Sequence, residues 1–89
     1  MSAGTETTVH LPDHVDLHAR PAAQFVRTAM GHDASVVVMS GERQADAKSL
    51  LAVLALGARR GTQLRLRAEG PQATLALDAL VACVSGLTE

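Results

Sequence analysis

Apolar residues recur with two different periods along this chain, and each change of period marks a boundary between elements. Thr7, Val9 and Leu11 alternate with Thr8 and His10, a period of two that predicts a half-buried strand ending at Pro12. From Ala22 the spacing becomes helical. Ala22, Phe25, Val26, Ala29 and Met30 share one face, and Gly31 stops the pattern. Ser35 to Ser40 holds Val36, Val37, Val38 and Met39, apolar on both faces, which predicts a well-covered strand. Ser40-Gly41-Glu42 then turns the chain into a short polar strand, Arg43 to Ala47. The run Leu50 to Leu56 fits a buried strand by period alone, but Ser49 before it is a cap and Gly57 after it a C′ stop. Those two ends favour a short helix. Leu64, Leu66 and Ala68 alternate with Arg65 and Arg67, a strand broken by Gly70-Pro71. Leu77, Leu80, Val81 and Val84 repeat at i, i+3, i+4, i+7 with Asp78 and Ser85 on the other side, an amphipathic helix ending near Gly86.

The order is β-α-β-β-α-β-α. Strands with one apolar face and one-sided helices predict an α+β fold: an open-faced two-layer sandwich, a four-stranded antiparallel sheet covered on one face by three helices. A chain of 89 residues is too short for two hydrophobic cores, so residues 1–89 are expected to form one domain. With Phe25 the only aromatic, the core must be aliphatic.

Charge and composition then remove several function classes. Eight basic against nine acidic residues give a net charge of −1, without the basic excess of a nucleic-acid binder. Cys83 stands alone, so no internal disulfide forms, and the four histidines share no metal-ligand spacing. The start MSAGTETTVHLPD has neither a positive n-region nor an apolar run, so no signal peptide is expected. The longest apolar run, Leu50 to Leu56, is far short of the ~20 residues of a membrane span. A cytoplasmic protein without membrane insertion, metal or cofactor is the expectation.

The chemistry concentrates in Leu17-His18-Ala19-Arg20-Pro21-Ala22-Ala23. Pro21 belongs in the first turn of a helix, where a missing N–H costs nothing, and this places His18 at the helix start. The unpaired N–H groups and the positive end of the helix dipole favour an anion there and disfavour imidazolium. A neutral imidazole is a nucleophile, and Arg20 offers a fork that matches phosphate oxygens. The same residues also fit a plain alternative, with His18 a tolerated cap-region residue and Arg20 a solvated surface charge.

Leu17-His18-Ala19-Arg20-Pro21-Ala22-Ala23-Gln24-Phe25-Val26 resembles the active-site segment of the HPr family, the histidine-containing phosphocarriers of the bacterial phosphoenolpyruvate:sugar phosphotransferase system. Ala47-Lys48-Ser49-Leu50-Leu51 resembles that family's regulatory-serine segment, and Leu56-Gly57, Gly61-Thr62 and Ala68-Glu69-Gly70 also match. The resemblance covers nearly the whole chain. It implies His18 as phosphoryl acceptor through Nδ1, with Arg20 steadying the phosphoryl group. Ala19, Ala23, Gln24, Arg27, Leu50, Leu51 and Leu54 then match the partner-docking face. The implied partners are enzyme I, charged from phosphoenolpyruvate, and a sugar-specific enzyme IIA. The protein is then a relay working as a monomer, not an enzyme in the usual sense. Ser49 corresponds to the serine that an ATP-dependent HPr kinase/phosphorylase modifies in some members, although N-capping alone explains a serine there.

One position departs from the family. Asp16 stands where a glycine is usual, and its carboxylate can orient the imidazole and raise its pKa, or repel an incoming dianion, or do neither. Elsewhere the expectations are plain: His10 on the solvent side of the first strand, His14 and His32 in loops, Cys83 partly buried in the last helix, and Arg59-Arg60 a solvated turn. Leu50 and Leu51 suit core and interface equally. A rival function of another class is an HPr-like interaction module that docks on a regulator without phosphoryl traffic. His18 and Arg20 both being present favours the carrier. A hydrolase lacks a nucleophile near His18 and room for a deep pocket.

Overall fold

A computed structural model describes residues 4–88. Met1 to Ala3, part of the start read for a signal peptide, and Glu89 lie outside the described residues. The chain runs β1 (Thr5–His10), α1 (Ala19–Met30), β2 (Ser35–Ser40), β3 (Arg43–Asp46), α2 (Leu50–Leu56), β4 (Gln63–Glu69) and α3 (Ala73–Ser85). The strands form one antiparallel sheet in the order β1-β4-β2-β3. This is the open-faced α+β sandwich that the periodicity implies.

Alternation decides which face of the sheet is covered. Leu64, Leu66 and Ala68 of β4 are buried, while Arg65 and Arg67 between them are exposed. Register aligns Val38 with Leu66, Val36 with Ala68 and Val9 with Leu64, so the buried sides of three strands form one apolar surface. The helices cover it with Ala22, Phe25, Val26 and Ala29 from α1, Val53 and Leu56 from α2, and Ala76, Leu77, Leu80 and Val84 from α3. Phe25 is fully buried in this aliphatic core.

Several boundaries differ from the sequence pattern for local reasons. The first strand is shifted toward the N-terminus: Leu11 lies beyond it, buried, and its N–H donates to Thr62 O at 2.9 Å. The third strand stops at Asp46, because Ala47 N–H turns back to Val36 O. In β2, Val36 and Val38 are buried but Val37 and Met39 only half-buried, since no helix lies on that side of the sheet. Met30 is not core. At the last position of α1 it is 64% exposed, facing the groove toward Lys48 and Leu50 rather than the core. α2 is the short helix, not a strand: Ser49 Oγ accepts from Ala52 N–H at 3.2 Å, and Gly57 ends it in the left-handed region at φ 66°. No helix of the described residues is long and apolar enough to cross a membrane.

Candidate functional site

The segment leading into α1 alternates inward and outward. Val15 and Leu17 are fully buried anchors, and Asp16 and His18 consequently face outward. Leu17 N–H donates to Ala58 O at 2.9 Å and Gly61 N–H to Pro12 O at 3.1 Å, which ties residues 12–17 to the loop between α2 and β4, and Val15 N–H closes a turn onto Pro12 O at 3.2 Å. His18 N–H bonds to Asp16 O at 2.9 Å, a tight turn that brings residues 16 and 18 together.

His18 is the N-cap of α1, in extended conformation and exposed, and its imidazole makes no capping hydrogen bond. The ring is therefore open to a partner. Ala19 follows at φ 45°, a left-handed conformation that costs a non-glycine residue about 1–2 kcal/mol. This strained residue lies directly beside the candidate acceptor. Of the first-turn donors, Pro21 has no N–H, His18 N–H is used by Asp16, and Ala22 N–H reaches His18 O at 3.4 Å. The N–H groups of Ala19 and Arg20 are left for an anion, two rather than four. Arg20 is exposed in the same turn. Asp16, His18, Ala19 and Pro21 line a shallow depression of about 240 Å³.

Asp16 does not orient the imidazole. Its Oδ1 accepts from the Arg60 backbone N–H at 2.7 Å and lies 3.6 Å from Arg60 Nε. The hydrogen bond from that N–H, followed by the nearby guanidinium, holds the Asp16 carboxyl below its ordinary value of 3.8. Arg60 is thus not simply a solvated turn residue. Its partner is the carboxylate beside His18.

The docking residues named from the sequence lie along α1 and α2. Ala19, Gln24 and Arg27 are exposed and Ala23 half-buried; Leu51 is 80% and Leu50 42% exposed, while Leu54 is half-buried against the core. Ala19, Ala23, Arg27 and Met30 follow one flank of α1 away from His18. Ala23, Val26, Arg27, Met30, Lys48 and Leu50 line a shallow groove of about 330 Å³ between the helices. Val26, Met30 and Lys48 were absent from the sequence-derived set; Val26 is buried. An exposed methionine at a helix end carries no periodic signal of its own, because its spacing is that of the buried face. Lys48 is fixed there by Nζ donating to His32 O at 2.9 Å. Ser49, between Lys48 and Leu50 in the chain, is half-buried and occupied as a cap. Cys83 is half-buried in α3, His10 and His14 are exposed, and His32 is half-buried with Nδ1 3.0 Å from Thr28 O.

The model of the family described as "PTS HPr component phosphorylation site" matches residues 5–85, nearly the whole chain. The chain belongs to the HPr family. It is 44% identical to the phosphocarrier protein HPr of Vibrio cholerae over 82 residues, 92% of this chain and 96% of that protein. It is also 37% identical to the phosphocarrier protein NPr of Escherichia coli over 76 residues, 84% of each. Among solved structures, a phosphocarrier protein HPr from Bacillus anthracis superposes with a TM-score of 0.88 at 32% identity, covering 92% of this chain and 98% of that one. The chain is accordingly an HPr phosphocarrier of the phosphotransferase system, with the sandwich fold of its solved relatives.

Proposed function

We propose that His18 accepts a phosphoryl group from phosphorylated enzyme I, whose donor is phosphoenolpyruvate, and passes it to a sugar-specific enzyme IIA. The observation that carries this reading is the exposed His18 imidazole at the start of α1, free of any capping bond and beside Arg20 and two helix-start N–H groups. In the transfer, the lone pair of neutral His18 Nδ1 attacks phosphorus. The bond from phosphorus to the donor atom breaks, and its electron pair stays with the donor. Arg20 and the N–H groups of Ala19 and Arg20 hold the phosphoryl oxygens, over which the charge is spread during transfer. The second transfer reverses these roles, with His18 as leaving group. No metal is needed for either step, and the protein ends as it began, as a single-domain cytoplasmic carrier.

Docking falls to the exposed flank of α1 and α2: Ala19, Ala23, Gln24, Arg27, Leu50, Leu51 and Leu54. A face that must bind two partners in turn is best left free, which suits a monomer. Phosphorylation of Ser49 by an HPr kinase/phosphorylase would put negative charge beside Leu50 and Leu51 and weaken docking. The 37% identity to a phosphocarrier named NPr favours one second reading, in which the donor and acceptor belong to a parallel relay rather than to sugar uptake. An interaction module without phosphoryl traffic is disfavoured by the open His18 and adjoining Arg20. The test is reconstitution: phosphoenolpyruvate, a bacterial enzyme I, this protein and a glucose-type enzyme IIA. Phosphoryl group reaching IIA only when this protein is present supports the sugar relay. Charging of this protein without onward transfer to any sugar-specific IIA would favour the parallel relay.

A further inference from the structure

The Asp16–Arg60 pair lies outside the acceptor motif, yet its carboxylate lines the same depression as His18. We propose that Arg60 is a second cation for the phosphoryl group, held beside the site by Asp16 while His18 is empty and shared with the phosphoryl oxygens once His18 is charged. This rests on His18 being the acceptor.

Three observations lead there. First, the turn from His18 N–H to Asp16 O puts both residues on the lining of one depression, so a phosphoryl dianion on the imidazole shares that depression with a carboxylate. An unbalanced pair of anions in one depression would oppose charging. Second, the same carboxylate holds a guanidinium whose Nε is 3.6 Å from Oδ1, a length that leaves the contact loose. Arg60 is long and 60% exposed at its side chain, so its guanidinium can swing from Asp16 toward the depression that Asp16 lines with His18. Third, Asp16 is fixed by the Arg60 backbone N–H at 2.7 Å, not by the guanidinium. Moving the guanidinium toward phosphate therefore leaves the loop anchored. A phosphoryl dianion carries more charge and more acceptor oxygens than one carboxylate, so it competes well for a planar fork.

The backbone anchor also makes the test clean. Arg60→Gln removes the guanidinium but keeps the N–H that holds Asp16. Asp16→Asn keeps an oxygen to accept from that N–H but removes the charge, releasing the guanidinium. The protein and both variants are charged with phosphoramidate, which needs no docking partner, and the phosphoryl group on His18 is titrated by ³¹P NMR. Charging rates are measured in parallel with enzyme I. The expectation is that Arg60→Gln raises the pKa of the phosphoryl group and slows charging by about two- to fivefold through kcat rather than KM. Asp16→Asn should lower that pKa. Removing the Asp16 charge lowers the titration with or without Arg60, so Arg60→Gln decides: an unchanged phosphoryl pKa in that variant overturns the proposal while leaving His18 as acceptor. Failure of the unaltered protein to take phosphate on His18 from either donor overturns both readings together.

Discussion

At the scale of residues, function depends on which polar groups are left without internal partners. His18 caps α1 without a side-chain bond, and Arg20 is exposed in the first turn. Arg20→Ala should still be charged, since the nucleophile and the two N–H groups remain. The loss of one charge-assisted contact corresponds to a rate lower by about tenfold or somewhat more, read in an enzyme I assay. An unchanged rate removes Arg20 from the mechanism. Asp16 gives a prediction in pH. Its carboxyl is held below the ordinary 3.8 in the folded state, so the charged form stabilises the fold above that pH and the contribution is lost as pH falls through the folded value. Asp16→Ala should accordingly melt below the unaltered protein at neutral pH, with the gap narrowing in scans below pH 3.8. A constant gap would mean that the hydrogen bond and pair do not hold the loop in the way the distances imply.

At the scale of elements, caps and alternation were the legible features. Ser49 and Gly57 identified α2 as a helix although its apolar run has no helical period to read, and the structure shows both ends doing that job. Ser49→Ala should cost about 1 kcal/mol of stability, measured by urea unfolding, because Ala52 N–H loses its acceptor. Ser49→Asp should keep stability close to normal, since aspartate caps as well as serine, while it weakens docking of enzyme I. A matched loss of stability in both variants would contradict the capping account. Periodicity alone did not reveal the start of α1, which Pro21 located at His18, nor the flank on which Met30 ends. Periodicity counts apolar residues, so Ala19 and Arg20, ahead of the first buried position, were invisible to it. Met30 continues the buried spacing but faces the groove toward Lys48 and Leu50, and only the packing decides that.

At the scale of the molecule, one sheet face is closed by helices, which leaves the outer flank of α1 and α2 available to partners. Leu51 is the clearest case, 80% exposed and without a part in the core. Leu51→Glu should leave thermal melting within about a degree or two, as expected of an exposed site away from structural features. It should raise the apparent KM of enzyme I for this protein. A large loss of stability would return Leu51 to a structural role. The fold was readable because each strand has one wet side and each helix one dry stripe. The Asp16–Arg60 contact was not readable, because it joins residues 44 apart in sequence and depends on two loops being tied at Leu17, Ala58, Pro12 and Gly61. Long-range pairs between loops have no periodic signature. The same loops hold His18 in place.

The most direct measurement is intact mass together with ³¹P NMR after incubation with phosphoenolpyruvate and a bacterial enzyme I, on the protein and on His18→Ala. The account predicts one acid-labile phosphoryl group with a phosphoramidate shift, absent from His18→Ala although that variant melts like the unaltered protein. A phosphoryl group that persists in His18→Ala, or none in either protein when both are folded, would contradict it.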